Sequence, residues 1–515
     1  MQFPSSLSRE LAFGLAMTLA VCLCAHARAD DVGWNQFRGP NGSGVATNAR
    51  PPVKPGPETQ VWKAPVPRGL SSPIIARGTV FLTGVDGERL VTLAFDAATG
   101  RELWRKLSPK VALEPVHAIN SPATPTPCTD GERVYVYFGS FGLLAYDLDG
   151  RELWQKPIPT PKSLYGSASS PILHGEHVLL VMDNDANLPD SKLSQSRLVA
   201  VNRITGQTAW ETARPLARSG WSTPAIWKRA GGDEVVVLGQ GRGSGYDAAT
   251  GAEKWFVTGF ARETIAVPVF GQEHAFFASA MGGQADEKLD PEPLWKAMLH
   301  FDTNGDGRIA RSEITEHFTF PLRPEVPPDH PGFGIPLNRD PARRRQQQEG
   351  YFSQLDKNRD GFWMHDEFVA NLGPRPFKPR LVAVRPGGEG DITDSHIAWE
   401  LNRGVPEIPS PIFQQGRIYM VRNGGILVAV DAADARVVYQ ERLGAEGQYS
   451  ASPVMANDHL YLISNSGIVS VARTGDTFEH VHQFNVGSKC AVTPAFDSNT
   501  FYLRTESHLL AFRGR

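Results

Sequence analysis

Two stretches of the sequence carry oxygen-bearing side chains at spacings that suit a hard cation. The first holds two carboxylates and an amide at alternate positions, then a further carboxylate, in the order Asp302, Asn304, Asp306 and Glu313. Gly307 stands where such a loop must turn sharply, and the backbone carbonyl of Arg308 supplies another oxygen. Calcium takes six to eight oxygen ligands in a flexible cage, so these groups would nearly complete its shell.

The second stretch repeats this arrangement. Its ligand positions are Asp356, Asn358, Asp360, the carbonyl of Phe362, and Glu367, with Gly361 at the turn. Position nine is Ala310 in one loop and Met364 in the other, so water must supply that ligand in both. Both stretches match the twelve-residue loop of an EF-hand, and we expect them to hold two Ca²⁺ ions.

The flanks of the loops support a paired EF-hand. Apolar residues recur there at helical spacing: Leu294, Ala297, Met298, Phe301, Ile314 and Phe318 around the first loop, and Tyr351, Phe352, Leu355, Phe368 and Leu372 around the second. Ile309 and Trp363 occupy position eight, where paired loops exchange a short β contact. The alternative is a degenerate pair kept for structure alone. Outside the cytoplasm calcium is not pulsed, so we expect a standing clamp rather than a switch.

The rest of the chain is built on a repeat that opens with a proline. Seven of these prolines follow Ser or Thr and one follows Val: Pro73, Pro127, Pro171, Pro224, Pro268, Pro411, Pro453 and Pro494. The spacing is 41 to 54 residues, except for 143 residues between Pro268 and Pro411. Both calcium loops fall in that long interval, which indicates an insertion.

A second element follows most of these prolines. A strand ends in Asp or Asn, a glycine-containing turn follows, and a short strand ends in Trp, as in FDAATGRELW (95–104), YDLDGRELW (146–154), VNRITGQTAW (201–210) and YDAATGAEKW (246–255). Six tryptophans share one place in the repeat: Trp62, Trp104, Trp154, Trp210, Trp255 and Trp399. They could form a ring that stacks a ligand, but one indole per repeat favours packing between neighbours.

Eight such units of four short strands predict an all-β fold, an eight-bladed β-propeller. We expect residues 30–283 and 379–515 to form the propeller, with strand 59–65 completing the last blade. Residues 284–378 then form the helical EF-hand pair, inserted in the fifth blade between strands 274–280 and 380–387. Deleting only residues 30–56, which precede the closing strand, is expected to cost far less stability than truncating the N-terminus to Ala64.

The N-terminus predicts export. Arg9 precedes an apolar run at 11–23, and Ala27-Arg28-Ala29 offers a cleavage site, so residues 1–29 read as a signal peptide cleaved after Ala29. A single membrane anchor, or a lipoprotein built on Cys22, are the alternatives. The mature chain would be periplasmic or secreted, without a transmembrane segment. The formal net charge of -3 gives no support for a nucleic-acid partner. Whether Cys128 and Cys490 pair stays open.

The Asp-x-x-Thr-Gly-x-x-x-Trp repeats resemble the quinoprotein (PQQ) repeat. That repeat builds the eight-bladed propellers of quinoprotein alcohol dehydrogenases and of the outer-membrane β-barrel assembly lipoprotein. The stretches WNQFRGPNGSG (34–44) and SPIFQQGRIYMVRNGGILVAVDA (410–432) are similar to an exported subgroup, the PQQ-binding-like β-propeller repeat proteins. The resemblance implies the fold but does not by itself imply an activity.

The catalytic features of quinoprotein dehydrogenases cannot be matched to this sequence. Those enzymes clamp the quinone with two adjacent cysteines, and here no such pair follows the signal peptide. There is no Cys-x-x-Cys-His for haem, and no residue aligns with their catalytic set. We therefore expect no PQQ and no enzyme activity. The sequence favours a monomeric, calcium-binding scaffold at the cell envelope for an unidentified protein or polysaccharide; a PQQ-dependent dehydrogenase and a calcium-regulated switch are the alternatives.

Overall fold

A computed structural model describes residues 33–184, 194–217, 220–261, 263–280, 291–321, 327–328, 333–338, 340–371, 379–445 and 447–514. Within them the chain forms eight four-stranded antiparallel blades in sequence order, so the predicted all-β, eight-bladed propeller is confirmed. The innermost strands of blades 1 and 2, 2 and 3, and 5 and 6 contact one another, and that of the eighth blade contacts that of the first. The predicted signal peptide lies outside the described residues.

The blade strands are short, and β1 (Val45–Ala46) and β2 (Gln60–Pro65) precede them. From the innermost strand outward, blade 1 comprises β3 Ile74–Ala76, β4 Thr79–Asp86, β5 Arg89–Asp96 and β6 Glu102–Leu107, and blade 2 comprises β7 Cys128–Thr129, β8 Arg133–Phe138, β9 Gly142–Asp147 and β10 Glu152–Pro157. Blade 3 comprises β11 Ile172–His174, β12 His177–Met182, β13 Arg197–Asn202 and β14 Thr208–Ala213. Blade 4 comprises β15 Ala225–Trp227, β16 Glu234–Gly239, β17 Arg242–Asp247 and β18 Glu253–Thr258.

In the second half, blade 5 comprises β19 Val269–Phe270, β20 Ala275–Ser279, β25 Arg380–Val384 and β27 Ile397–Leu401, and blade 6 comprises β28 Ile412–Gln414, β29 Arg417–Arg422, β30 Ile426–Asp431 and β31 Val437–Arg442. Blade 7 comprises β32 Val454–Ala456, β33 His459–Ile463, β34 Ile468–Arg473 and β35 Glu479–Asn485. Blade 8 comprises β36 Ala495–Asp497, β37 Thr500–Arg504 and β38 His508–Arg513, with β2 as its outermost strand. The short β26 (Gly390–Asp391) adds to the edge of blade 4 in parallel with β18. The four-residue helix α4 (Thr393–His396) follows it.

Burial explains the strand sequences. The two middle strands of a blade are covered by neighbouring blades on both faces, so most of them are largely apolar, as in β8 and β9. The outermost strands alternate between partly buried and exposed residues because one face meets solvent. The core therefore lies mainly between blades, where Phe81 of blade 1, for example, shares one cluster with Leu144 of blade 2.

The repeated tryptophans pack between blades, as the sequence favoured. The indole N–H of Trp104 donates to the Leu148 carbonyl of the next blade at 2.8 Å, and that of Trp154 donates to the Arg203 carbonyl at 3.1 Å. The turn glycine of the next blade lies against the ring: a Cβ on Gly206 would come within 2.8 Å of Trp154. Trp255 differs, since its N–H donates to the Glu234 carboxylate of its own blade.

The ring is closed by the N-terminal strand. β2 pairs antiparallel with β38, placing Trp62 opposite Ala511 and Ala64 opposite Leu509. Blade 8 thus takes three strands from the C-terminal end of the chain and its outermost strand from the N-terminal end. Because β2 pairs with β38, the backbone groups of β38 are not exposed at a sheet edge, where another chain could pair with them.

The segment 34–44 lies inside the ring. Trp34 is 1% exposed, and its carbonyl accepts from the Ile75 amide of blade 1. The Asn41 side chain makes two 2.8 Å hydrogen bonds to the Ile226 backbone of blade 4. β1 then extends blade 7 by pairing with β32. Deleting residues 30–56 would therefore also remove stabilising contacts, because their described part buries apolar side chains and bridges blades across the ring.

Between β20 and β25 of blade 5 the chain forms a separate helical unit. It contains α1 (Pro291–Met298), α2 (Pro341–Leu355) and α3 (His365–Asn371), with 3₁₀ turns at Leu299–Phe301 and Arg311–Glu313. Two two-stranded sheets complete it: β21 (Ile309–Ala310) with β24 (Phe362–Trp363), and β22 (Thr319–Pro321) with β23 (Gly334–Pro336). Met298, Ile309, Phe318, Phe352 and Trp363 are at the centre of its own apolar core. The predicted bounds at 284 and 378, and Leu372, lie outside the described residues.

Two further features bear on the sequence expectations. Cys128 and Cys490 are both buried free thiols, so they do not pair with each other. Burial raises the pKa of the Cys490 thiol to about 12, which leaves it protonated and unreactive at neutral pH. Along the described part of the chain, no helix has both the length and the apolar character needed to cross a membrane.

Candidate metal centre and channel cavity

The second loop brings three carboxylates together. Oxygens of Asp356, Asp360 and Glu367 lie within 4.8 Å of one another. The loop backbone holds these groups in place: Glu367 accepts from the Lys357 amide at 2.9 Å, and Asp356 accepts from the Gly361 amide at 3.0 Å. Gly361 has a φ of 87°, which permits the sharp turn that brings the chain back over the loop.

The first loop has the same internal bonding. Asp302 accepts from the Gly307 amide at 2.8 Å, and Asn304 accepts from the Asp306 amide at 2.8 Å. Glu313 accepts from the Ala310 amide at 2.8 Å. These bonds hold the predicted ligand side chains against the backbone of their own loop, but among the described residues only the second loop brings three carboxylates within 4.8 Å of one another.

One ion pair distinguishes the two loops. The Arg308 guanidinium donates to the Asp306 carboxylate at 2.8 Å, and this hydrogen bond is the main cause that holds the pKa of Asp306 below its usual value. The equivalent position in the second loop is Phe362, which carries no charge. A positive charge at Asp306 opposes a cation at the same carboxylate, so the loops are chemically unequal.

The two loops form a pair through their position-eight residues. Ile309 pairs with Trp363, and Ala310 pairs with Phe362, in a short antiparallel contact. The Arg308 guanidinium also lies 4.0 Å from the centre of the Phe362 ring. Each loop offers oxygen atoms only, from three carboxylates, one amide and backbone carbonyls, and this donor set fits Ca²⁺ rather than a soft metal.

A second site, which sequence reasoning missed, lies at the channel of the ring. Before six of the eight repeat prolines, the Ser or Thr accepts a hydrogen bond from the backbone amide of the equivalent residue one blade earlier. These bonds, of 2.9–3.0 Å, run Ser72 to Thr126, Thr126 to Ser170, Ser170 to Thr223, Val267 to Ser410, Ser410 to Ser452, and Ser452 to Thr493. We call these six accepting residues the hydroxyl ring. The recurrent Ser/Thr-Pro pair was the signal for it.

The hydroxyl ring lines a cavity of about 200 Å³, which we call the cup. Phe37 of the N-terminal segment contributes to its lining, together with Tyr165, Trp221, Ile265 and Ile408. The Tyr165 and Trp221 rings meet edge to face with centroids 5.1 Å apart. Burial, and next the neighbouring Glu263 carboxylate, raise the pKa of the Tyr165 phenol. The cup thus combines a polar belt, which is the hydroxyl ring, with aromatic and aliphatic walls.

Comparison with known proteins identifies relatives of this fold. A family model described as outer membrane protein assembly factor BamB matches residues 56–185 and 383–514, just over half of the chain. BamB from Burkholderia pseudomallei (strain K96243) is 27% identical over 198 residues, covering 38% of this chain and 47% of that protein. The chain therefore spans about half the length of the curated relative it matches.

Solved structures show the same fold at low identity. BamB from Moraxella catarrhalis superposes with a TM-score of 0.50 and 11% identity, covering 89% of this chain and 98% of that one. The quinohemoprotein alcohol dehydrogenase ADHIIG from Pseudomonas putida HK5 gives 0.51 and 11%, covering 94% and 80%. These likenesses concern the fold alone. The match of the family model over both halves of the ring shows that the chain belongs to the outer membrane protein assembly factor BamB family.

Proposed function

We propose that this protein is an exported, calcium-binding β-propeller that serves as a scaffold in the cell envelope. The observation that carries the proposal is the convergence of Asp356, Asp360 and Glu367 within 4.8 Å, in a loop paired with a second loop of the same type. The two form an EF-hand pair inserted in blade 5, with one Ca²⁺ held by each loop.

The ligands of the first ion are Asp302, Asn304, Asp306, the Arg308 carbonyl and Glu313. Those of the second are Asp356, Asn358, Asp360, the Phe362 carbonyl and Glu367. A bound ion supplies positive charge that offsets the mutual repulsion of the carboxylates. Each loop then clamps the segments before and after it, so that calcium stabilises the inserted unit.

The scaffold role is supported by family membership and by the export signal in the sequence. The relatives are named as assembly factors of outer membrane proteins, and a protein partner in the envelope would fit that description. Fractionation of cells tests the location: the full chain should be found in the envelope or the medium, and a chain lacking residues 2–29 in the cytoplasm. The same distribution for both chains would refute export.

The alternative activity is that of a PQQ-dependent dehydrogenase. The fold is shared with ADHIIG, but the two adjacent cysteines that clamp the quinone have no counterpart in residues 30–515. Reconstitution with PQQ and Ca²⁺ distinguishes the two functions. A scaffold should show neither a quinone absorbance that remains after gel filtration nor dye reduction with alcohols; a stable quinone complex that oxidises an alcohol would establish the enzyme instead.

A further inference from the structure

The hydroxyl ring has hydrogen atoms without acceptors. Each of its six residues, Thr126, Ser170, Thr223, Ser410, Ser452 and Thr493, is at most 4% exposed, and each side-chain oxygen accepts from a backbone amide. Among the described residues, none of the six O–H groups donates to a protein acceptor. All six residues line the cup. Because buried donors are normally satisfied, the belt is suited to a guest that accepts hydrogen bonds.

A buried positive charge lies beside this belt. Arg38 is 0% exposed and adjoins Phe37 of the cup, and its Nη2 donates to the carbonyl of Pro411 at 2.6 Å, next to Ser410. Its Nε and Nη1 have no acceptor, and no carboxylate lies within ion-pair distance of it in the described part of the chain. Burial lowers the pKa of Arg38 to about 9, which still leaves the guanidinium charged at pH 7.

A second fully buried arginine of the propeller has more protein acceptors than Arg38. Arg504 is also 0% exposed, but its Nη1 donates to the Ser71 carbonyl and hydroxyl and to the Thr83 carbonyl, and its Nη2 donates to the Pro67 carbonyl. Arg504 is therefore held by acceptors of the protein. Arg38 is held through Nη2 alone and does not itself line the cup, so it acts on a guest only through the field of its buried, unpaired charge.

The walls and the volume limit the size of that guest. Tyr165, Trp221 and Ile408 present apolar surface above the belt, and Glu263, the one carboxylate among the described lining residues, is engaged by the Tyr165 phenol. The volume of about 200 Å³ compares with about 150 Å³ for a protein cavity that holds one benzene molecule. One ring with a small substituent fits within that volume.

We propose that the cup binds a carboxylate carried on an apolar body of about one ring, with the carboxylate against the hydroxyl ring near Arg38 and the apolar body against Tyr165 and Trp221. The same chemistry could come from a free aromatic acid or from the C-terminal residue of a partner chain. No calcium ligand takes part, so this site is independent of the proposed calcium function.

Calorimetric titration of the full chain with benzoate and with its neutral analogue benzamide tests the site. Excess chelator is present throughout, so that the result does not depend on the calcium loops. We expect one benzoate per chain, bound about tenfold more tightly than benzamide, because charged acceptors bind the donors more strongly than neutral ones. The tryptophan fluorescence change on binding should disappear in Trp221→Phe. Absence of saturable binding, or equal affinity for both probes, would overturn the proposal.

Variants locate the binding to the belt. Thr126→Val/Thr223→Val removes two O–H groups at constant shape and should weaken benzoate binding about tenfold. Thr92→Val, a buried threonine of β5 outside the cup, is the matched control and should bind like the parent. If the double variant binds benzoate as tightly as the parent, the site is elsewhere and the proposal fails. If the double variant does not fold, the proposal is tested by the affinities of the parent for benzoate and benzamide alone, and equal affinities overturn it.

Titrations with two peptides identify the source of the carboxylate. Ala-Ala-Phe with a free C-terminus and the same peptide as its amide are titrated under identical conditions. Tight binding of the free acid, but not of the amide, supports a partner's C-terminus as the natural guest. Binding of benzoate alone supports a small free acid. Equal binding of acid and amide contradicts recognition of a carboxylate.

Discussion

The indole N–H of Trp62 donates a hydrogen bond of 3.1 Å to the carbonyl of Ala97, and this contact joins the last blade to the first. Trp62 comes from the N-terminal strand β2, whereas the other three strands of blade 8 come from the C-terminal end of the chain. Strand β2 and its buried indole therefore take part in closing the ring, together with Tyr502 of β37, whose phenol also donates to the Ala97 carbonyl.

Trp62→Ala should destabilise the ring strongly. The indole is 9% exposed, and replacing a buried Trp by Ala typically costs about 3–5 kcal/mol of unfolding free energy. Its neighbour Val61 is 45% exposed, so Val61→Ala is a matched control expected within about 0.5 kcal/mol of the parent. Urea unfolding followed by circular dichroism measures both. Equal stability of the two variants would show that β2 does not close the ring.

The inter-blade packing predicts that alanine costs more stability at one turn glycine than at another. Gly206 and Gly175 both have positive φ, so alanine is strained at either position. At Gly206 a Cβ would also lie 2.8 Å from the Trp154 ring, whereas at Gly175 nothing lies within 4 Å. Gly206→Ala should therefore cost about 1–3 kcal/mol more than Gly175→Ala in the same unfolding measurement. Equal costs would mean that the turn glycine is needed only for its backbone conformation.

The inserted unit should be removable. Ser279 and Arg380, at the ends of β20 and β25, are direct partners across the blade 5 sheet, so a short Gly-Ser turn can replace residues 284–378. The shortened chain should keep β-type circular dichroism and melt cooperatively. If only aggregate is obtained, the unit is part of the propeller core.

Chelation should affect the inserted unit and leave the ring nearly unchanged, because a bound ligand stabilises only the part that binds it. Differential scanning calorimetry should show two transitions, of which one moves to lower temperature when calcium is removed. The shortened chain without residues 284–378 is the control and should not respond to chelator. A single transition that moves as a whole would favour the calcium-regulated switch.

The two calcium loops should differ in affinity. Arg308→Gln removes the positive charge bonded to Asp306 and should tighten binding at the first loop by a few-fold. Arg345→Gln removes the same charge from the exposed part of α2 and controls for net charge. Tighter binding in both variants would assign the effect to long-range charge, and tighter binding in neither would show that the Arg308–Asp306 pair does not oppose the cation.

Much of this architecture could be predicted from the sequence because the residues that define each repeat lie close together along the chain. The Asp-Gly turn is encoded within a few residues: Asp96 accepts from the Thr99 amide at 2.8 Å, and Gly100 takes a φ of 74°. The Trp at the end of each repeat, as in Trp104, then needs only the next turn to pack against. The long interval between Pro268 and Pro411 marked the insertion for the same reason.

Contacts between distant segments could not be predicted in this way. Asn41 bonds the Ile226 backbone 185 residues away, and no local pattern places segment 34–44 inside the ring. The cup shares this limitation, since its belt is assembled from single residues of separate blades. The Ser/Thr-Pro pairs were recognised as a repeat, but their hydrogen bonds appear only when the ring is closed.

Calorimetric titration of the full chain with Ca²⁺ tests the central claim most directly. The parent should bind two ions, and Glu313→Gln/Glu367→Gln should bind far more weakly, because each loop loses a charged bidentate ligand. Glu316→Gln/Glu349→Gln, which removes the same charge from exposed positions of the inserted unit, should bind like the parent. A parent that binds no calcium, or a Glu313→Gln/Glu367→Gln variant that keeps both sites at parental affinity, would contradict the assignment.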